Sequence, residues 1–241
     1  GTYHSMALEE DALWTGAYYD AFVRLPEWIG PRPEGTPLRI CIVGNAAGTM
    51  SELLHRHHDP AILRIDGIEI DPAVTRASRI AMGLDESSQP GLRIHHVDGR
   101  TFLEGAPRGH YDAIVLDAYA RQVSIPAALA TREFFALARS RLREGGYCFL
   151  NLGALRPGSR LVEVVANTMA AGFQGPVFRC PLESQFNVLV VARRGLRAEP
   201  PPRDTPLQAA ASFGLHRDTG FVLTDDFCPV ESITADDLLL R

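Results

Sequence analysis

Long hydrophobic runs are missing from this 241-residue chain. None approaches the ~18 consecutive apolar residues that a membrane-spanning helix needs, and no basic flank followed by an apolar run and a small-residue cleavage site opens the sequence. We therefore expect a cytoplasmic chain without membrane contact. Cysteine is also scarce, and the four thiols lack metal-ligand or redox spacing, so we expect no disulfides. Cys41 and Cys148 lie in apolar runs, where a cysteine usually behaves as a small buried hydrophobe.

Several catalytic signatures are missing as well. The first glycine-rich loop has neither G-x-G-x-x-G nor the Gly-Lys-Ser/Thr ending of a phosphate-binding loop, so neither a dinucleotide nor a triphosphate is indicated. The chain has no Gly-x-Ser-x-Gly turn, so the sequence does not support a hydrolase. The cluster "HRHHD" at 55–59 has no second ligand group of matching spacing, so we expect no metal. A net charge of −5 predicts no nucleic-acid partner and fits a cationic substrate better.

What the chain does contain is an alternation of short apolar runs and helical stretches between residues 31 and 195. This alternation predicts a parallel sheet covered by helices on both faces. The last two runs are separated by "PLES" alone, so this pair should be antiparallel. The predicted strands are "LRICIV", "LRIDGIEI", "LRIHHV", "YDAIVLD", "GYCFLNL", "PVFRC" and "QFNVLVVARR". The predicted helices are "TMSELLHRH", "PAVTRASRIA", "ATREFFALARSRLREGG", which should stop at Gly145-Gly146, and "RLVEVVANTMAAGF".

The segments before and after residues 31–195 are predicted to lie outside this domain of alternating strands and helices. Apolar residues recur every four positions from 9 to 24, which predicts an amphipathic helix that ends before Pro26. We divide the chain into a first segment at 1–30, a nucleoside-binding domain at 31–195 and a C-terminal extension at 196–241.

Functional residues are expected beyond the carboxyl ends of the strands, where open α/β sheets bind ligands. Gly44 and Gly48 let the first loop approach a ligand closely. Glu69 ends the second strand about 25 residues later, where a carboxylate takes both hydroxyls of a ribose. Asp98 can accept from an adenine amino group, and Asp117 ends the fourth strand. Taken singly, the loop can be a plain strand-to-helix turn, Glu69 a solvated strand-end acid and Asp117 a cap of the following segment. Three strand-end acids in register nevertheless predict a nucleoside site.

Several motifs together resemble the spermidine synthase (polyamine aminopropyltransferase) family. They are "GIEIDP", "HVDGRTFL", "YDAIVLDAY" and "IPAALATREFFALARSRLREGGY", with "GTYHSM" and "AYYDAF" similar to the end of the family's N-terminal hairpin and the helix after it. The resemblance runs from residue 1 to about 194. It implies a class I methyltransferase-like Rossmann fold, with a mostly parallel seven-stranded sheet and an antiparallel last strand. Because the chain starts at this motif, we expect most of the hairpin region to be missing from it.

The resemblance also implies residue roles. Asp117 would be the catalytic acid beside an attacking amine, and Glu69 would hold the ribose of decarboxylated S-adenosylmethionine or S-adenosylmethionine, the co-substrate. We expect a small-molecule amine as the other substrate and a homodimer as the assembly. The other donor contacts would be Gly44, Asn45, Ala47, Gly48, Ile70, Asp98 and Gly99, and the amine contacts His4, Tyr19 and Tyr119.

Two acids of the family pattern are absent. The family's loop G-G-G-D/E-G-G is "GNAAGT" here, so Ala47 replaces the acid that receives the donor's ammonium. The family's signature D-S/T-x-D-P is "DAYAR" here, so its second acid, which helps to hold the acceptor amine, falls on Ala120 or Arg121. A cation left without its counter-charge in a partly desolvated site costs several kcal/mol. The replacement candidates are Asp20, Glu183, Asp225 and Asp226.

Three functions therefore stay open. The first is aminopropyl transfer to an atypical amine. The second is methyl transfer from intact S-adenosylmethionine, which Ala47 favours because an acid there would repel the methionine carboxylate. The third is a catalytically silent nucleoside-binding or oligomerisation module, which the lost acids favour and the retained Asp117 opposes.

Overall fold

The computed structural model describes residues 5–8, 11–30, 32–119, 124–153, 158–182, 187–195, 214–217 and 220–239. Of the residues singled out above, His4, Ala120, Arg121 and Glu183 lie outside this part of the chain. The described strands form one sheet of eight, in the order β3-β2-β1-β4-β5-β7-β6-β8. The strands are β1 (Leu38–Val43), β2 (Leu63–Ile68), β3 (Leu92–His95), β4 (Tyr111–Leu116), β5 (Leu142–Gly153), β6 (Val177–Leu182), β7 (Asn187–Arg193) and β8 (Gly214–Leu215).

Strand direction follows the prediction. The strands β1 to β5 pair in parallel, and β7 is antiparallel to both β5 and β6. The two-residue strand β8, antiparallel to β6, makes the sheet one strand larger than predicted. The helices are α1 (Leu25–Ile29), α2 (Thr49–His57), α3 (Pro72–Ala81), α4 (Gly99–Gly105), α5 (Arg132–Arg141), α6 (Arg160–Phe173) and α7 (Val230–Leu239).

The core lies on both faces of the sheet, as the continuous apolar strands predict. Side chains alternate along β1, so Ile40 and Ile42 pack in one apolar cluster while Cys41 and Val43 pack in the other. Cys41 is fully buried, and so is Cys148 in β5, which confirms their prediction as buried hydrophobes. Within the described part of the chain, no helix is long and apolar enough to cross a membrane.

The helix predicted for residues 9–24 is wrong in its extent. Helical structure begins at Tyr18 as a 3-10 helix through Arg24 and continues into α1, so Pro26 lies inside the helical region and does not end it. Proline is tolerated there because it occupies the first turn of α1, where its missing N–H is not needed. Leu13, a residue of the apolar pattern, is 53% exposed.

Gly145-Gly146 does not end α5. The helix stops at Arg141, and Leu142 already has extended backbone angles and begins β5 opposite Tyr111 of β4. Leu142 is fully buried in the core. Strand pairing therefore ends this helix before its local glycine signal. The sequence patterns also did not predict α4 and α7.

Helix α7 is attached to α6 through a buried carboxylate. Asp237 accepts hydrogen bonds from the Ser159 hydroxyl (2.5 Å) and from the backbone N–H groups of Arg160 (3.2 Å) and Leu161 (3.0 Å). It thereby supplies an anion and an acceptor to the N-terminus of α6, where backbone donors have no partner within the helix.

We predict that Asp237→Ala lowers the free energy of unfolding by about 1.5–3 kcal/mol, the usual range for hydrogen bonds to a charged group. Urea denaturation with the Asp236→Ala variant as control measures it, because Asp236 is the exposed neighbouring carboxylate. Equal midpoints for the two variants would refute the capping role.

Candidate active site

The loop after β1 is positioned by a close contact with the end of β4. Gly44 has a φ of +92°, a conformation that favours glycine. A Cβ at Gly44 would lie 2.4 Å from the carbonyl oxygen of Asp117, so no side chain fits there. The Asp117 N–H also donates to the carbonyl of Val43 at 2.8 Å. The first loop and Asp117 are therefore neighbours, as their strand-end positions predicted.

Glu69 lies at the edge of the same loop. Its side chain accepts from the N–H of Ala46 (3.1 Å) and from the N–H of Asp71 (3.0 Å). The residue is 9% exposed, so the carboxylate is held rigidly at the carboxyl end of β2. Ile70, the next residue, is 68% exposed and presents an apolar side chain beside it.

The remaining loop residues have different surroundings. The Asn45 side chain is 5% exposed and fills the space left by Gly67 of β2, where a Cβ would lie 2.7 Å from the Asn45 side chain. Ala47 donates its backbone N–H to the hydroxyl of Ser5 at 3.1 Å. Gly48 has a φ of +77° and precedes the first turn of α2.

Asp98 and Gly99 lie at the start of α4. The Asp98 carboxylate caps this helix by accepting from the N–H of Thr101 at 2.9 Å. A Cβ at Gly99 would lie 2.4 Å from the side chain of Val43, so glycine allows α4 to approach β1. Asp98 is therefore the N-cap of α4, a role that the sequence did not predict, and its carboxylate has a second oxygen that this bond does not use.

Asp117 is the most strongly perturbed carboxylate of this region. The Tyr18 hydroxyl donates to its Oδ2 at 2.6 Å, and the Asn151 amide donates to its Oδ1 at 2.8 Å. Burial raises the pKa of Asp117 from 3.8 to about 7, although both hydrogen bonds act in the opposite direction. A carboxyl group with such a pKa exists in both protonation states near neutral pH, so it can accept and release a proton.

Aromatic side chains surround this carboxylate. The rings of Tyr18 and Tyr19 lie 4.0 Å apart, and the Tyr119 hydroxyl donates to the backbone carbonyl of Asn151 at 3.1 Å. Burial, followed by the nearby Asp117 charge, raises the pKa of all three phenols, so they stay protonated at neutral pH. The predicted residues Tyr19 and Tyr119 therefore do lie beside Asp117.

The sequence patterns missed Tyr18, Asn151 and Asn187. Tyr18 adjoins the predicted Tyr19 in "AYYDAF", and Asn151 is the polar residue in the apolar run "GYCFLNL". Asn187 begins β7 and donates to the Asn151 side-chain oxygen at 2.7 Å. A buried amide inside an apolar strand is a signal that could have identified Asn151.

Two of the acids proposed as replacements already have partners. Asp20 accepts from the backbone of Thr15 and Gly16, both at 2.9 Å, and so caps the turn before the 3-10 helix. Asp225 forms a bidentate ion pair with Arg100 at 2.6 and 2.7 Å. Asp226 is exposed in the C-terminal segment.

The histidines also contact protein groups. The side chains of His55, His57 and His58 each lie within hydrogen-bond distance of a backbone carbonyl oxygen. His95 contacts Asp66 at 2.8 Å, and His96 contacts Thr75 at 3.1 Å. No group of three His, Cys, Asp or Glu side chains within the described ranges could hold a metal ion.

The strand order described above defines a Rossmann-like fold. Two solved structures share it. One is a spermidine synthase in complex with the transition state analogue AdoDATO, with 15% identity, coverage of 94% of this chain and 76% of that chain, and a TM-score of 0.63. The other is human methyltransferase-like protein 13 in complex with SAH, with 23% identity, coverage of 78% and 81%, and a TM-score of 0.56. The predicted class I methyltransferase-like fold is thereby confirmed.

Sequence comparison identifies the family that the chain resembles. It is 28% identical over 170 residues to a probable polyamine aminopropyl transferase of Bifidobacterium longum, a match of 70% of this chain and 35% of that relative. No family model matches. The chain thus spans about a third of this curated relative's length. The chain is similar to polyamine aminopropyltransferases and spermidine synthases at 25–28% identity, and the resemblance inferred from its motifs is confirmed.

We predict that the raised pKa of Asp117 makes its charged form costly to the folded state. The contribution of the neutral Asp117 carboxyl to the free energy of unfolding is fully present below its pKa in the unfolded state, about 4. It is lost as the pH rises through its pKa in the folded state, about 7. The unfolding free energy of the wild type minus that of Asp117→Asn should fall by about 1.4 kcal/mol per pH unit between these values and level off above pH 8. Urea unfolding from pH 4 to 9 measures this difference, and a difference independent of pH above 5 would show that Asp117 titrates normally.

Proposed function

We propose that this chain carries the nucleoside-binding and proton-accepting part of an aminopropyltransferase-like enzyme. The observation that carries the proposal is the Asp117 carboxylate, held beside the first loop with a pKa near neutrality. The substrates would be decarboxylated S-adenosylmethionine and a small amine, and the products the aminopropylated amine and methylthioadenosine.

The residues around the first loop fit a nucleoside. Glu69 would accept from the ribose hydroxyls, since a buried carboxylate at the end of β2 forms strong charge-assisted hydrogen bonds. The exposed Ile70 side chain would pack on the adenine, and Asp98 and Gly99 would border its amino end. Gly44, Asn45, Ala47 and Gly48 would face the donor's sulfonium end, where two glycines leave the backbone accessible. The complexes of the structural neighbours with AdoDATO and SAH support such a ligand for this fold.

The chemistry assigned to Asp117 is proton acceptance. The amine nitrogen attacks the carbon next to the sulfonium sulfur, a new C–N bond forms, and the C–S bond breaks to release methylthioadenosine. The nitrogen must lose a proton, because an amine of pKa ~10 is mostly protonated at neutral pH. Asp117 takes this proton and orients the nucleophile, while Tyr19, Tyr119 and His4 would contact the amine.

A methyltransferase is the second candidate, and Ala47 is the observation that favours it. Without an acid in the first loop, the site does not repel the carboxylate of intact S-adenosylmethionine. Titration calorimetry with methylthioadenosine, S-adenosylhomocysteine, S-adenosylmethionine and its decarboxylated form separates the candidates. Tightest binding of the decarboxylated donor supports aminopropyl transfer, and a preference for the two carboxylate-bearing ligands supports methyl transfer.

A catalytically silent module is the third candidate. It would bind methylthioadenosine as tightly as it binds either donor, and it would convert neither donor to product. We propose a homodimer in each case, which light scattering of the purified chain tests, and a cytoplasmic location stays a prediction.

We predict that Glu69→Ala weakens methylthioadenosine binding by about 2–3 kcal/mol, the cost of losing charge-assisted contacts to the ribose. Calorimetry on the wild type, Glu69→Ala and Glu69→Gln measures this. The Gln variant keeps one acceptor oxygen and should lie between the other two. Unchanged affinity in a folded Glu69→Ala protein would remove the ribose role.

We predict that Asp117→Asn lowers turnover by roughly 10²–10⁴-fold with little change in nucleoside affinity, because asparagine keeps the size but cannot accept the proton. Release of methylthioadenosine from decarboxylated S-adenosylmethionine is followed with a panel of mono-, di- and polyamines. The same panel is applied to a chain that carries the family's upstream hairpin. If no amine supports release with either wild-type protein, the aminopropyltransferase proposal fails and the silent module replaces it.

A further inference from the structure

A row of hydrogen bonds connects Asp117 to the far side of β5. Asn151 donates its side-chain N–H to Asp117 at 2.8 Å and accepts from Asn187 at 2.7 Å through its side-chain oxygen. Asn151 is 2% exposed, so its amide cannot exchange these partners for water. The row therefore crosses three adjacent strands, from the end of β4 through β5 to the start of β7.

The bond from Asn187 determines which end of the Asn151 amide faces Asp117. An amide has a donating nitrogen and an accepting oxygen. Because Asn187 donates to the oxygen, the nitrogen is left to face the carboxylate. Rotation of the amide would place its oxygen against the Asp117 oxygen, which is unfavourable for a charged carboxylate, and would face the Asn187 donor with another donor.

We propose that Asn151, held in one amide orientation by Asn187, is a positioning residue that favours the charged form of the Asp117 carboxylate and fixes its orientation. This deepens the proposed function, on which the catalytic consequence rests. The orientation effect on Asp117 itself does not depend on the identity of any substrate.

The groups that face Asp117 in the described part of the chain make this effect measurable. The titratable ones are the phenols of Tyr18, Tyr19 and Tyr119, whose raised pKa values keep them neutral near pH 7. Titration of Asp117 is therefore not masked by a charge change on these neighbours. Loss of the Asn151 donor removes stabilisation of the charged form alone.

The test is a carboxyl ¹³C NMR titration of protein labelled at aspartate, with the Asp117 signal assigned by its loss in Asp117→Asn. We expect Asn151→Leu, of similar size, to raise the pKa of Asp117 by about one unit, the effect of one charge-assisted hydrogen bond. We expect Asn187→Leu to raise it by less, because this variant removes the donor that holds the Asn151 amide in one orientation without adding a charge. Leu189→Ala is the control, since Leu189 is the buried cross-strand partner of Asn151 and should lower stability without moving this pKa.

An unchanged pKa in both Asn151→Leu and Asn187→Leu, or an equal shift in Leu189→Ala, overturns the proposal. If Asn151→Leu does not fold, Asn187→Leu at the partly exposed start of β7 decides in its place. Once an amine substrate is found, the pH at which kcat of Asn151→Leu falls on the acid side of its pH profile should rise by the same one unit. Activity should recover at high pH, and the KM for the nucleoside should not change. If no amine supports turnover while the NMR shift is present, the transferase function fails and the positioning role stands.

Discussion

The candidate site depends on the close approach of the ends of β1 and β4. The absence of a side chain at Gly44 lets the first loop touch the backbone of Asp117, and a Cβ there would lie 2.4 Å from a carbonyl oxygen. Parallel pairing of the two strands, continued by the bond from the Asp117 N–H to Val43, holds both segments at one edge of the sheet. The loop that would bind the donor and the acid that would accept the proton therefore share one position in the fold.

The charge state of Asp117 follows from opposing effects at this edge. Burial favours the neutral carboxyl, while hydrogen bonds from Tyr18 and Asn151 favour the carboxylate. The donors come from the 3-10 helix before α1 and from β5, which are distant in sequence and meet only in the folded protein. The proton transfer proposed for Asp117 would thus depend on the packing of the first segment onto the sheet.

The first loop carries alanine at position 47, where the family pattern has an acid. Ala47 is an uncharged residue whose backbone N–H already bonds to Ser5. Of the described candidates for a replacement carboxylate, Asp20 and Asp225 have partners of their own and Asp226 is exposed. Within the described residues, Asp117 and Glu69 contact the backbone of the first loop.

The sequence by itself determined seven of the eight described strands and their directions, the covering helices α2, α3 and α6, and the strand-end positions of Gly44, Glu69, Asp98 and Asp117. Local periodicity and strand-to-helix alternation encode these features. Only the tertiary structure decided where α5 ends, because pairing of Leu142 with β4 prevailed over the glycine pair. It also decided that helical structure starts at Tyr18, and that Tyr18, Asn151 and Asn187 reach Asp117. These contacts join residues far apart in the chain, and no local pattern records which side chains will meet across strands.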